Sequence, residues 1–549
     1  MYLLNIFVLT VLFVKSHGVN INGKDYHVDH FSENGVSKRV VYPKHGSTST
    51  WVARSMYNKT YLAIGWDSLD LETNPEVDDE EQAFFAGYLE GLETHQAIYD
   101  HYWNTVKSDC VNETELCQRV NFYLETNIEW IKGMIKQHAA SDVYWKQVNL
   151  FYQQLIGILF GYNKVAPATE ELTMRDIMWI NFSWDFGDVK SAMKNETNKV
   201  LKGNGHCSAL IKLLRSKSDI LVAHNTWTGY ENMRRIMKRY SLLYKNIAGT
   251  VVSFSGYPGA LVSGDDFYIV NSGLVVQETT NENNNASLWN YVRPTGQVLE
   301  VIRVTVANRL ADGGRSWTKI FSQYNSGTYN NQWMVVDMKK FAPGSVKPEL
   351  LWVLEQMPGY IRREDQTDVL TRQSYWASYN IPFYPDVYNM SATWALVDKY
   401  GDFFTHDKNP RALIFKRDHE KVLDVHTMMQ LMRSNDFQHD PLSRCNCSPP
   451  YSAENAIAAR NDLNLVNGTY PFNALSHRSH GAIDAKVTNY RMSQSQSLWA
   501  VSGPTTGAHL RPFQWSTSDF NHQLPHRGHP DRFNFKPVNF SWPAQVWAV

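Results

Sequence analysis

Apolar residues along this chain recur with two different periods, and the change of period divides it. Tyr144, Val148, Phe151, Tyr152, Leu155 and Leu159 recur every three to four residues, with Phe151 and Tyr152 adjacent, so a helix over 142–160 has an apolar face. The same spacing predicts helices over 83–99 and 118–139, and the acidic run at 78–81 suits the positive end of the first. Segments 40–42 and 61–66 read as strands. From 249 to 360 short apolar runs dominate and predict strands at 249–254, 267–270, 274–280, 333–337 and 350–356. Gly264-Asp265-Asp266 and Asn325-Ser326-Gly327 supply turns between them, and 299–312 reads as an interposed helix. Helical patterns also cover 230–244, rich in Arg and Lys, and 418–434. Segments 181–204 and 375–388 read as loops, and 435–549 has few periodic runs. The expected class is α+β, with a helical block covering one face of an antiparallel sheet system. No repeat or linker divides the chain, which predicts one large, elaborated domain.

Between the two regimes lies 203–227. A glycine-flanked loop, Gly203-Asn204-Gly205-His206, leads into Cys207 and an apolar run. A polar break at 215–218 precedes a second apolar run, which ends in His224-Asn225-Thr226-Trp227. This predicts an antiparallel hairpin. With Leu214 opposite Ile220, Cys207 lies opposite Trp227, beside His224 and Asn225. Side chains alternate along a strand, so a one-residue shift of the turn decides which of His224 and Asn225 shares the thiol's face.

Composition narrows the setting. The chain of 549 residues is 43% hydrophobic, enough for a large core, and its net charge of −1 gives no reason to expect a nucleic-acid partner. An apolar run from Leu3 to Val14 reads as a secretory signal ending near Gly18, and no later run is long enough to be a transmembrane helix. Sequons at Asn58, Asn112, Asn181, Asn195, Asn285, Asn389, Asn467 and Asn539 fit a glycoprotein, with a further match at Asn446 whose middle residue is Cys447. There are 5 cysteines. In an oxidising compartment local pairing of Cys110 with Cys117 and of Cys445 with Cys447 is expected, although spacing alone does not fix connectivity. Cys207 is left over, and an unpaired cysteine in a secreted protein is a reactive thiol, an intermolecular bridge or a buried inert residue. His522, His526 and His529 have ligand-like spacing but sit among Pro525, Gly528 and Pro530 and read as a loop. No metal or cofactor is expected.

Two nucleophilic mechanisms fit Cys207. In a Cys-His hydrolase an imidazole takes the thiol proton. In an N-terminal-nucleophile hydrolase the chain is cut before the cysteine, and the freed α-amino group serves as base. The glycines before His206 favour the second, because they let the thiol reach the preceding carbonyl.

Further stretches carry a resemblance. They include 86–91 (AGYLEG), Cys207-Ser208-Ala209-Leu210-Ile211, His224-Asn225-Thr226-Trp227, Tyr257-Pro258-Gly259, 263–268 (SGDDFY) and 324–333 (YNSGTYNNQW). Toward the C-terminus come Glu355-Gln356-Met357-Pro358-Gly359, Pro410-Arg411-Ala412 and 479–488 (SHGAIDAKVT). In this order they resemble the phospholipase B-like family, which includes the lamina-ancestor and lysosomal phospholipase B-domain proteins. The resemblance implies an αββα sandwich of the N-terminal-nucleophile hydrolase type. It implies self-cleavage between His206 and Cys207, giving chains 19–206 and 207–549 that stay associated in one intertwined domain. It implies a lysosomal or secreted hydrolase of phospholipid or other acyl substrates. Cys207 is then nucleophile and, through its amino group, base. His224 or Asn225 orients that group or binds the substrate carbonyl, and Asn325 donates to the oxyanion. Trp227, Asp266 and Arg315 contact the substrate.

Overall fold

The computed structural model describes residues 19–21, 24–33, 35–44, 51–109, 114–194, 207–507 and 509–542. The expected signal segment, Cys110, Asn112, Asn195 and His206 lie outside them.

Two sheets carry the fold. The larger has twelve strands. Five of them come from the first part of the chain, ending with Asp67–Thr73; seven come from the part after Cys207, beginning with Ile236–Ser241. Asp67–Thr73 and Ile236–Ser241 are neighbours and run parallel, while the other pairs in this sheet are antiparallel. The smaller sheet has seven strands and contains Cys207–Leu213 and Ile220–Gly229 beside Asp484–Asn489.

Burial shows how these layers stack. One face of the large sheet packs against helices Asp79–Thr105, Thr114–His138, Val143–Val165 and Met174–Met193. Its other face, with Ile269, Val275, Met334 and Val353, meets Ala209, Ile211, Ile220 and Val222 of the small sheet. The opposite face of the small sheet, with Leu210, Leu221, Ala223 and Val487, is covered by helices Pro410–Asp418 and Val425–Met432. The order is therefore helices, sheet, sheet, helices, within an α+β class.

The predicted helical block exists, and its first and third helices lie unusually close. A Cβ at Gly87 would sit 1.9 Å from the Gln154 carbonyl oxygen, and one at Gly157 would sit 2.0 Å from that of Phe84. Only glycine permits that approach, which accounts for the Gly-rich 86–91 stretch. The strands at Phe267–Val270 and Leu274–Thr280 fall where the apolar runs place them.

Several expectations fail, each for a packing reason. Segment 230–244 is one 3-10 turn followed by strand Ile236–Ser241. Its basic residues do not line a solvated helix face. Arg234 pairs with Asp67 at 2.6 Å, Lys238 with Glu90 at 2.6 Å and Arg239 with Asp70 at 2.5 Å, all buried or nearly so. Segment 61–66 is a short helix, Tyr61–Ile64, stopped by Gly65 at φ 80°. The loop expected at 181–204 begins as helix, because Phe182, Phe186 and Val189 complete the buried face of Met174–Met193. Segment 375–388 contains strand Tyr375–Ser378 at the edge of the small sheet and helix Pro385–Met390. Segment 418–434 is helical only over Val425–Met432 after a 3-10 turn.

Cys445 and Cys447 form a disulfide, and Cys117 is disulfide-bonded. Asn181 is fully buried; its amide donates to the Gly259 carbonyl and accepts from Leu261 N–H. That packing leaves no room for a glycan, so this sequon is corrected. Asn389, Asn467 and Asn539 are exposed, and Asn58 and Asn285 are half-buried. Among the described residues no helix is long and apolar enough to cross a membrane.

Candidate active site

The hairpin closes one residue differently from the sequence count. Leu213, not Leu214, faces Ile220, so Cys207 pairs with Thr226, Ser208 with Asn225 and Ala209 with His224. The cause is the connection: Ser216 and Lys217 both adopt φ 55°, a tight left-handed turn that absorbs the extra residue. Opposed residues share a face. Cys207, Ala209, His224 and Thr226 therefore face the large sheet, and Ser208 and Asn225 face the helices.

On the first face Cys207 lies between the two sheets, 2% exposed. Fully buried His224 reaches across the interface, its Nε2 3.0 Å from the Glu278 carbonyl oxygen on strand Leu274–Thr280. A carbonyl only accepts, so Nε2 carries the proton and Nδ1 the lone pair. Burial, with the Lys486 cation beside it, holds His224 well below the usual imidazole value and keeps it neutral. The Cys207 sulfur, a ring nitrogen of His224 and a carboxyl oxygen of Glu278 all lie within 4.8 Å of one another. Burial pushes the thiol well above its usual value, and the nearby Glu278 adds to this against the Trp227 N–H that bonds to it. The thiol is thereby held in its protonated form.

A buried ion cluster fixes the wall beside it. Lys486 Nζ contacts Asp265 at 2.8 Å, Asp484 at 2.9 Å and the Thr226 hydroxyl at 2.6 Å. Arg235 contacts Asp265 at 2.5 Å and Asp484 at 3.1 Å. Two cations thus balance two carboxylates, which offsets the cost of burying them. Burial alone would raise Asp265; the Arg235 and Lys486 charges outweigh it and hold the carboxyl below its usual range. Thr226, opposite Cys207, donates its N–H to Asp484 and its hydroxyl to Asp265. Asp266 is buried at φ 45° and accepts from the Tyr268 hydroxyl, and burial raises its carboxyl to about 7. Tyr329 donates to Glu278 at 3.1 Å.

The second face holds the strand in place. Asn225 accepts from Ser208 N–H and Trp227 Nε1, and its amide donates to the Met432 and Ile457 carbonyls. Arg411 donates to the Cys207 carbonyl at 2.6 Å, to the Tyr379 carbonyl at 2.7 Å and to Asn380 at 2.8 Å, and its guanidinium lies 4.4 Å above the Trp227 ring.

A model of the family described as phospholipase B matches residues 53–540. The chain belongs to the phospholipase B family. Its relatives include the rat protein named "Putative phospholipase B-like 2", 47% identical over 521 residues, which are 92% of this chain and 88% of the rat protein. The human protein of the same name is 46% identical over 495 residues, 87% of this chain and 84% of its own length. "Phospholipase B-like protein B" of Dictyostelium discoideum is 37% identical over 512 residues, 90% and 86% of the two chains.

In this phospholipase B family member the residues singled out from sequence separate into two groups. Cys207 and His224 come together, and Asp266 lies in the buried acidic group next to Asp265. Asn225 sits beside the strand of Cys207 but on the other face, with both amide atoms occupied. Trp227 packs on that side with Ala458, Ala459 and Ala482 and braces Arg411. Asn325 is turn chemistry: it donates to the Met357 carbonyl and accepts from Gly327 N–H, and none of its hydrogen bonds involves the thiol. Arg315 is exposed and pairs with Glu349. His526 stacks on Trp515 and His529 approaches Asn104. Glu278, Asp265, Lys486, Tyr329 and Arg411 were missed. Each lies in a distant part of the chain, and only the SGDDFY, YNSGTYNNQW, Pro-Arg-Ala and SHGAIDAKVT stretches signalled four of them.

Proposed function

We propose that this protein is an acyl hydrolase of the N-terminal-nucleophile type, acting on acyl esters of phospholipids in a lysosomal or secreted setting. The observation that carries this reading is the place of Cys207. It opens a central strand of the small sheet, faces the intersheet space, and has its carbonyl held by Arg411 and its neighbour Ser208 held by Asn225. A residue fixed in this way can begin a chain without losing its position. The four-layer order supports an αββα sandwich of this hydrolase type.

In maturation the Cys207 sulfur attacks the His206 carbonyl carbon. The His206–Cys207 C–N bond breaks, leaving a thioester and a free α-amino group on Cys207. Water then cleaves the thioester, giving a His206 carboxylate and the thiol. Chains 19–206 and 207–549 stay together because they share the large sheet, through Asp67–Thr73 beside Ile236–Ser241 and the ion pairs that cross that seam.

In turnover the α-amino group, with an ordinary pKa of about 7.7–8.0, takes the thiol proton that burial otherwise retains. The thiolate attacks the acyl carbonyl, and the departing alcohol takes a proton from the ammonium. Water hydrolyses the acyl thioester and restores the thiol. Neutral His224 orients groups at the sulfur rather than serving as the primary base, since burial disfavours its charged form.

The test is turnover of a phospholipid and of an N-acyl amide by processed wild type and by processed His224→Ala. Ester hydrolysis lost in the variant supports the reading. Hydrolysis of the amide alone reassigns the substrate, and no hydrolysis by processed wild type points to a binding protein that cleaves itself only to mature.

A further inference from the structure

We propose that the intersheet site also binds one zinc-class divalent cation, held by Cys207 Sγ, His224 Nδ1 and the Glu278 carboxylate, and that the bound cation silences the nucleophile. The inference deepens the proposed reading of the site and rests on it for a fourth ligand, the freed α-amino group of Cys207.

Three observations carry it. The donor atoms converge: sulfur, imidazole nitrogen and carboxyl oxygen lie within 4.8 Å of one another. Tetrahedral zinc, with bonds of about 2.0–2.3 Å, needs ligand atoms roughly 3.3–3.8 Å apart. Rotations of the Cys207 and Glu278 side chains that move their tips by about 1 Å close that gap. Two donor atoms are also unused. His224 Nδ1 and Glu278 Oε2 are fully buried and have no hydrogen-bond partner, a costly state for atoms that only satisfy packing. Finally, His224 is already set as a ligand. Its Nε2–H is tied to the Glu278 carbonyl, which fixes the tautomer that presents Nδ1, the usual outer support of a metal-binding imidazole.

Charge selects the cation. Thiolate and carboxylate neutralise a dication, and the adjacent Arg235–Lys486–Asp265–Asp484 cluster is already balanced, so the loaded site carries no surplus buried charge. A sulfur and nitrogen donor set favours zinc-class ions over magnesium or calcium. Binding sends the thiol proton to solvent, while the amine binds as its free base. Sulfur and amine of Cys207 would close a five-membered chelate. These are the two groups that turnover needs free, so occupancy and hydrolysis exclude each other.

The test uses cobalt(II) as an optical probe on chelator-treated protein, with zinc as competitor and intact mass read on the same sample. Cys207 is the free cysteine among the described residues, so a thiolate-to-cobalt charge-transfer band reports it. The expected result is one cobalt per molecule, a band displaced by zinc and absent in Cys207→Ala, and affinity weakened more than tenfold in Glu278→Gln and His224→Phe. Thermal melts verify that each variant is folded; two dissimilar ligand variants guard against one failing. A processed sample with no band at stoichiometric cobalt overturns the proposal, as does a band unchanged in both ligand variants. If intact mass shows a continuous chain, the cleavage reading fails by itself. The three side-chain ligands still predict a weaker band sensitive to both variants, and its absence overturns the site.

Discussion

Asn225→Ala separates a residue that holds the strand of Cys207 from one that acts on substrate. Asn225 is fully buried and makes four hydrogen bonds: 2.9 Å from Ser208 N, 3.0 Å from Trp227 Nε1, 2.7 Å to Met432 O and 2.9 Å to Ile457 O. Truncation leaves two donors and two acceptors without partners in a site closed to water. Each stranded group costs about 1–3 kcal/mol, so the total is about 4–12 kcal/mol. That is comparable with the whole stability of an ordinary domain, about 5–15 kcal/mol. The expected outcome is a protein that accumulates poorly, melts far below wild type and is not processed. His224→Ala is the comparison. It strands one carbonyl, that of Glu278, at about 1–3 kcal/mol, and should fold while losing turnover. Thermal melts by circular dichroism, paired with turnover of the same preparations, read the difference. An Asn225→Ala protein that melts with the wild type yet fails to hydrolyse substrate would refute the assignment and return Asn225 to the chemistry.

Three further predictions follow from named contacts. Arg411→Lys removes the fork that joins the Cys207 and Tyr379 carbonyls, and one ammonium cannot restore it; processing should slow on gels at least tenfold, and an unchanged rate would show that the Cys207 carbonyl needs no such hold. His101 is buried and stacked on Tyr257, and burial, with the cations Lys238, Arg235 and Arg234, lowers it from 6.5 to about 3. Its stabilising contribution is present above pH 6.5 and is lost as pH falls toward 3, a loss of about 2 kcal/mol at pH 5, so His101→Phe should narrow the stability gap between pH 7 and pH 5 by that amount in denaturant titrations. Glycopeptide mapping of the folded protein should find Asn181 unmodified, and a glycan there would contradict the packing of helix Met174–Met193 on Gly259 and Leu261.

Strands such as Leu274–Thr280 were legible because compact apolar runs bounded by turns report a buried strand directly. Ile236–Ser241 was not, because its charges are neutralised by Glu90, Asp70 and other acids far away in sequence, and a local pattern reads such charges as solvent-facing. The hairpin carried the neighbourhood of Cys207 into view, since pairing follows from counting. The count failed by one residue at Ser216 and Lys217, where two left-handed residues take one more residue into the turn, and that residue decides between His224 and Asn225. Glu278 was out of reach, because it arrives from the opposite sheet and no spacing relates it to Cys207. Asn325 and Arg315 show the converse: residue types suited to catalysis whose hydrogen bonds go to a turn and to a surface pair.

The central claim is that Cys207 becomes a chain terminus and its own base. Intact mass with N-terminal sequencing of the mature, active protein tests it most directly. The account predicts two associated chains, the second beginning at Cys207, and a single continuous chain in Cys207→Ala. An active protein whose Cys207 remains internal would contradict it.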